Sequence, residues 1–333
     1  MNTFTHTARS QRGFTLIELM IAMVISLVLV AGAFGIVVSS NNTKEKTQAN
    51  TDLLGSTRLI AGVLGEDIRH AGMFGRMRGA RSIEGRLGAA NELAAATGDC
   101  SDRFYINLDQ YIFATNDTNP WSATCVGSSY VTDTDILVLK YTELENRPHA
   151  EWSTLPENSV YLFSNPSGGR LFWEGTNPPT TIGYGTGFAP EAERLINPLR
   201  VYIYYLSEPK TGVEERSLIR VGLSPDSGTL YEEEIIAEGV EDFQVQIGME
   251  DCNTTTTPCE GRVTEYRDAD DVDWTDVTTV DRIRAVRVLT TAGSSKDWQS
   301  TGATRDYSFG DLDVTADANT RVWQGTFQVR NSL

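Results

Sequence analysis

Hydrophobic positions fall into three spacings along the chain, and each predicts a different kind of element. Over residues 14–38 nearly every position is apolar or small, and Glu18 is the only charge. At about 1.5 Å rise per residue, roughly 20 apolar residues cross the hydrocarbon core of a bilayer, so this run predicts a spanning helix. From Leu53 onward the spacing is helical and amphipathic. Leu53, Thr57, Ile60, Ala61, Leu64, Ile68 and Ala71 share a stripe, and Thr51, Asp52, Ser56, Arg58, Glu66, Asp67 and Arg69 fall between them. Both stretches read as one helix from residue 14 to about residue 71, ended by Gly72 and Gly75.

Past Gly75 the pattern breaks into short apolar runs separated by Gly, Pro, Asn and Asp, which predicts strands. They are expected at 103–107, 135–141, 159–163, 171–173, 199–206, 217–221, 240–248, 280–289 and 321–329. The last alternates most clearly: Trp323, Gly325, Phe327 and Val329 against Gln324, Thr326 and Gln328. Arg282, Arg284 and Arg287 interrupt the 280–289 run, which suits a strand near an edge or a subunit face. The fold class is therefore α+β, a helical spine followed by a large head of antiparallel sheet over 73–333. Segments 143–157 and 176–198, rich in Pro, Gly and Asn, are candidate separators between two lobes.

Composition narrows the function. A chain that is 40% apolar and 22% charged is globular rather than disordered. With 28 Lys and Arg against 45 Asp and Glu the net charge is −17. Phosphate binding needs clustered cations, so no nucleic acid partner is predicted. The three His, His6, His70 and His149, stand apart in the sequence, and no Ser or Cys lies in a nucleophile motif. The Gly183–Gly187 run has the wrong spacing for a dinucleotide loop. An enzyme is not expected.

The first forty residues set the address. Arg9 and Arg12 precede the apolar run, and Lys44, Glu45 and Lys46 follow it with little net charge. That bias favours a single pass with the N-terminus cytoplasmic and the bulk of the chain in the periplasm or outside. A secretory signal has a shorter apolar region, about 7–15 residues, and a small-x-small cleavage site. Glu18 inside the span is costly, which makes it a functional candidate. Small residues at Ala22/Ser26 and Ala31/Gly35 have the spacing that lets helices approach closely in lipid.

Arg12-Gly13-Phe14-Thr15-Leu16-Ile17-Glu18, after a short basic leader and before the apolar run, resembles the class III signal peptide of type IV prepilins. The resemblance implies cleavage between Gly13 and Phe14 by a prepilin peptidase and methylation of the new Phe14 amine. It also implies pairing of Glu18 with the N-terminal amine of a neighbouring subunit. The implied parts are a leader 1–13, a membrane half-helix 14–38, a periplasmic half-helix 39–72 and the head 73–333. Leu64-Gly65-Glu66-Asp67-Ile68-Arg69-His70-Ala71-Gly72-Met73-Phe74-Gly75 resembles a segment of PilW-type minor pilins, as do the stretches at 239–248, 280–288 and 327–331. Where many members carry Cys just after that first segment, this chain has Gly75-Arg76. The family reading implies a structural minor pilin that primes or caps a type IV pilus. Its partners would be other minor and major pilins, the prepilin peptidase, the inner-membrane assembly platform and inner-membrane lipid, with a final place at the pilus tip or base. The alternatives are a minor pseudopilin of type II secretion and a membrane-anchored envelope binding protein.

The remaining chemistry is sparse. Cys100, Cys125, Cys252 and Cys259 contain no C-x-x-C pair, and a periplasmic head predicts two local disulfides, Cys100–Cys125 and Cys252–Cys259. No cofactor is expected. Asp268, Asp270, Asp271 and Asp273 are the best calcium candidates, but they miss the EF-hand spacing, and a solvated acidic loop is the better reading.

Overall fold

A 55-residue helix, α1 (Leu16–His70), opens the structure, a computed structural model that describes residues 15–78, 80–86, 106–121, 126–127, 129–145, 147–148, 155, 159–166, 168–173, 195–223, 231–252, 259–293, 305–316 and 320–330. The chain divides into two units, Met1–Asp52 and Leu53–Leu333. The first contains the apolar part of α1, and Leu16–Asn41 is long and apolar enough to cross a membrane.

In the second unit a small ribbon, β1 (Met73–Phe74) with β2 (Met77–Arg78), follows the helix. Nine strands then form one sheet: β3 (Ile83–Glu84), β4 (Ile112–Thr115), β5 (Ile136–Thr142), β6 (Arg147–Pro148), β7 (Val160–Asn165), β8 (Gly168–Trp173), β9 (Leu195–Ser207), β10 (Ser217–Leu223) and β11 (Tyr231–Glu238). The second sheet is built from β12 (Val240–Met249), β13 (Glu265–Asp268), β14 (Ile283–Gly293) and β17 (Thr320–Gln328). The helical turn α2 (Val277–Val280) precedes β14, and the hairpin of β15 (Arg305–Phe309) and β16 (Leu312–Ala316) lies between β14 and β17.

The 13-residue β9 is the axis of the larger sheet. Its first part pairs with β6 and β7, and its second half lies between β5 and β10. All named pairings are antiparallel except β3 with β8. Every residue of β5 is buried, which explains its unbroken apolar run. The exception in that run is Lys140, whose Nζ donates to the Asn107 carbonyl at 2.9 Å.

Ile60, Leu64, Ile68 and Ala71 of α1 share one core with Leu137, Leu139 and Ile203 of the first sheet and Val245, Ile247, Val286 and Val288 of the second. Each buried Ile or Leu contributes roughly 1.5–3 kcal/mol relative to exposure. The helix comes close to β17 at Gly65, where a Cβ would sit 2.5 Å from the Phe327 ring. It ends at Gly72, with φ of 76° and an N–H that donates to the Lys140 carbonyl at 3.0 Å. Only a residue without Cβ adopts that left-handed conformation cheaply.

The structure departs from the expected strands in several places. Of the run at 103–107, the described residues Ile106 and Asn107 lie outside any strand, and β4 comes later. The 280–289 run is split, with Val280 closing α2 and β14 starting at Ile283. β14 is also interior, paired on both sides with β12 and β17, and the edge belongs to β17. Its arginines are tolerated because Arg284 is ion-paired and the Arg287 guanidinium stacks 3.4 Å over the Tyr266 ring.

Candidate functional site

The start of α1 is a reciprocal cap. Thr15 precedes the first helical residue, and its backbone N–H donates to Glu18 Oε2 at 3.0 Å. The Thr15 hydroxyl donates to the same oxygen at 3.1 Å, and the Glu18 N–H donates back to that hydroxyl at 3.3 Å. Thr-x-x-Glu at this position is a capping box, which satisfies helix N–H groups that otherwise lack partners. Glu18 thus has a local role that the apolar pattern did not suggest. Leu16, Met20, Leu27, Val30, Phe34 and Ile36, among other apolar residues of this part of α1, are exposed. A face of that kind is covered by lipid or by other apolar helices. Gly13 and Phe14 lie outside the described residues.

In the second unit the residue that fixes α1 to the head is Asp67, which is 4% exposed. Tyr141 Oη donates to Asp67 Oδ1 at 2.7 Å, and Tyr204 Oη donates to Oδ2. Arg220 Nη1 donates to Oδ2 at 3.1 Å. Strand register brings these groups together. Tyr204 of β9 lies opposite both Leu137 of β5 and Arg220 of β10, and Arg220 lies opposite Glu234 of β11. Glu234 accepts from Arg220 Nη2 at 2.5 Å, and the guanidinium lies 4.3 Å over the Tyr202 ring. One carboxylate on the helix therefore collects donors from three strands. Burial and the Asp67 charge both push the Tyr141 hydroxyl above its ordinary range, so it stays a donor.

A second buried pair lies in the smaller sheet. Arg284 Nε donates to Glu250 Oε2 at 2.7 Å, with side chains 6% and 3% exposed. The remaining Glu250 oxygen accepts from the Glu260 and Gly261 N–H groups. Burial alone would raise this carboxyl, but the Glu260 N–H, Arg284 and the Gly261 N–H hold it below the ordinary carboxylate range. Between Glu250 and these donors, Cys252 and Cys259 form the expected disulfide. Cys100 and Cys125 lie outside the described residues.

Among the described residues, only Glu250, Cys252 and Cys259 bring three metal-ligand atoms within 4.8 Å of one another. The two sulfurs are joined and the carboxylate is paired with Arg284. The acidic loop is used differently. Asp268 Oδ1 accepts from Gln246 Nε2 at 2.9 Å, and Asp273 Oδ1 accepts the Thr275 N–H and hydroxyl. Asp270 and Asp271 are exposed.

Asp135 joins the two sheets. Its Oδ2 accepts the Val245 N–H of β12 at 2.6 Å, and Oδ1 accepts the Asp117 N–H at 3.1 Å. Burial pushes its carboxyl up to about 8 against those hydrogen bonds, and Asp117 and Asp311 add repulsion. The folded state therefore binds a proton that the unfolded chain releases near pH 4. That contribution is complete below the unfolded value and is lost as pH rises through about 8. The melting temperature of the detergent-solubilised chain should fall between about pH 4 and 8, with a shallower slope in Asp135→Asn. Equal slopes in the two proteins would refute this assignment.

Comparison with known proteins gives two matches. Residues 203–331 match the family model of type IV pilus-assembly protein W, and residues 8–34 match the prokaryotic N-terminal methylation motif. The first covers Tyr204, Arg220, Glu250, Arg284 and β17; the second covers Gly13, Phe14 and Glu18. No match is found among curated proteins or among solved structures.

Proposed function

We propose that this chain is a type IV pilin-like protein of the PilW family, a low-copy structural subunit that primes or caps a type IV pilus. The family belongs to pilus assembly and is structural, which implies contact with other pilus components. The observation that carries the reading is α1: an exposed apolar stretch begins at the Thr15–Glu18 cap, and the last turns are buried in the head around Asp67. In this reading a prepilin peptidase cuts between Gly13 and Phe14, and the freed Phe14 amine is methylated. Glu18 then exchanges its local cap for the N-terminal amine of a neighbour. An ion pair removed from water is strongly destabilised when one partner is missing, so this contact selects correctly processed neighbours. The protein would stand in the inner membrane with its head in the periplasm before assembly.

Low copy number follows from size. Residues 73–333 imply a head with a radius of gyration of roughly 18 Å, against about 13 Å for a 100-residue head. Subunits along a shaft repeat at close spacing around shared helices, and so large a head fits best where nothing lies above it. Immunogold labelling should place the protein at filament ends, and its loss should reduce pilus number more than it alters the shaft. Uniform labelling along filaments would overturn the placement.

A further inference from the structure

Resting on that reading, we infer that the outer edge of β17, which pairs with no strand among the described residues, is a docking site for an extended strand from the head of a neighbouring pilin-type subunit. An open strand edge presents unpaired N–H and C=O groups, and proteins protect such edges with charges, Pro, bulges or short length. Other edges in the two large sheets carry such devices, and β4 and β6, which also pair on one side only, are short, with four and two residues. β11 carries Glu232, Glu233 and Glu234, all exposed, and its pairing with β10 contains a bulge. β13 has only four residues and carries Glu265, Arg267 and Asp268. β3 has two residues.

β17 has none of these devices. Nine residues, Thr320–Gln328, pair with β14 without a register shift, and the strand contains no Pro and a single charge, Arg321. Among the described residues no strand pairs with its other side. Gln324, Thr326 and Gln328 are exposed on one face, and Trp323 and Phe327 pack on the core from the other.

The position names the occupant. Phe327 closes against Gly65, and the Arg69 guanidinium lies 6.0 Å from the Phe327 ring, so β17 flanks the last turns of α1. A subunit packed along those turns meets this edge first. Main-chain hydrogen bonds would supply the affinity, and the seven uncharged residues Val322–Gln328 that follow Arg321 favour an uncharged strand over a basic or acidic one.

The test uses the full chain in cells that assemble the pilus, with a photo-cross-linking amino acid placed singly at Val322, Gln324, Thr326, Gln328, Glu232 and Leu27. Adducts from β17 positions should map to one strand of another pilin-type subunit. The attached residue should move two positions for every two-residue step along β17, and yields should exceed the Glu232 control about fivefold or more. Adducts confined to this chain's own segments, adducts to a second copy, or none from β17 would overturn the inference. If Leu27 still cross-links to pilins in those cases, the proposed function stands and only the docking edge fails. If Leu27 also gives none, the function fails with it.

Discussion

Asp67→Ala should destabilise the protein by about 3 kcal/mol, the low end of the range for removing one partner of a buried ion pair. Two tyrosine hydroxyls and one guanidinium converge on this carboxylate, and Ala leaves all three without it. Arg220 keeps Glu234, which limits the loss. For a head of this size, each kcal/mol moves the melting temperature by roughly 2 °C, so the expected fall is about 6 °C. Tyr141→Phe removes a single hydrogen bond to a charged group and should cost about half as much. The effect should also be local. The turns of α1 near Asp67 should become sensitive to limited proteolysis before the nine-stranded sheet does. A change in melting temperature below about 1 °C would show that the cluster is not what holds the helix.

Glu18 should prove essential to incorporation and dispensable for processing. The structure shows one role, the cap to Thr15, and a single Ala substitution would confuse it with the proposed pairing. Glu18→Ala removes both the cap to Thr15 and the negative charge. Glu18→Gln keeps an oxygen that accepts the Thr15 N–H and hydroxyl but cannot pair with a neighbour's amine. If pairing is the function, both variants should be cleaved normally, enter the membrane, and appear in sheared pili about tenfold or more below wild type. If the cap alone mattered, Glu18→Gln would incorporate as wild type. That result would remove the pairing from the account.

How far the sequence revealed this arrangement depended on whether the deciding contact was local. The helix was legible because its apolar run and the later stripe of Ile60, Leu64 and Ile68 are local signals, and Gly72 marks its end by backbone conformation. β5 was legible because a strand buried on both faces is continuously apolar. β14 was misread because Arg284 and Arg287 looked like edge residues. Their partners, Glu250 and Tyr266, come from other strands, and no spacing announces them. β11 was missed because Glu232, Glu233 and Glu234 resemble a solvated loop, yet Glu234 is fixed by the register opposite Arg220.

Asp67 was grouped with the polar residues of the helix. The signal that would have found it was present: it lies three residues after Leu64 and four before Ala71, on the buried stripe, where a carboxylate requires a partner. Tyr141, Tyr204 and Arg220 are 74 or more positions away in the sequence, so only the fold identifies them. The stretch around Gly13 and Phe14 was the reverse case: residue order alone suggested its resemblance, and residues 8–34 match the prokaryotic N-terminal methylation motif.

The central claim is that this chain matures as a pilin and is built into a pilus. It is tested most directly by mass spectrometry of the N-terminal peptide from sheared, purified pili, comparing wild type with Gly13→Arg. The account predicts a wild-type chain in those pili that begins at Phe14 with a methylated amine, at low copy relative to the major subunit. It predicts that Gly13→Arg retains residues 1–13 in the membrane fraction and is missing from pili. A chain recovered with Met1 intact, or a wild-type chain absent from pili, would contradict it.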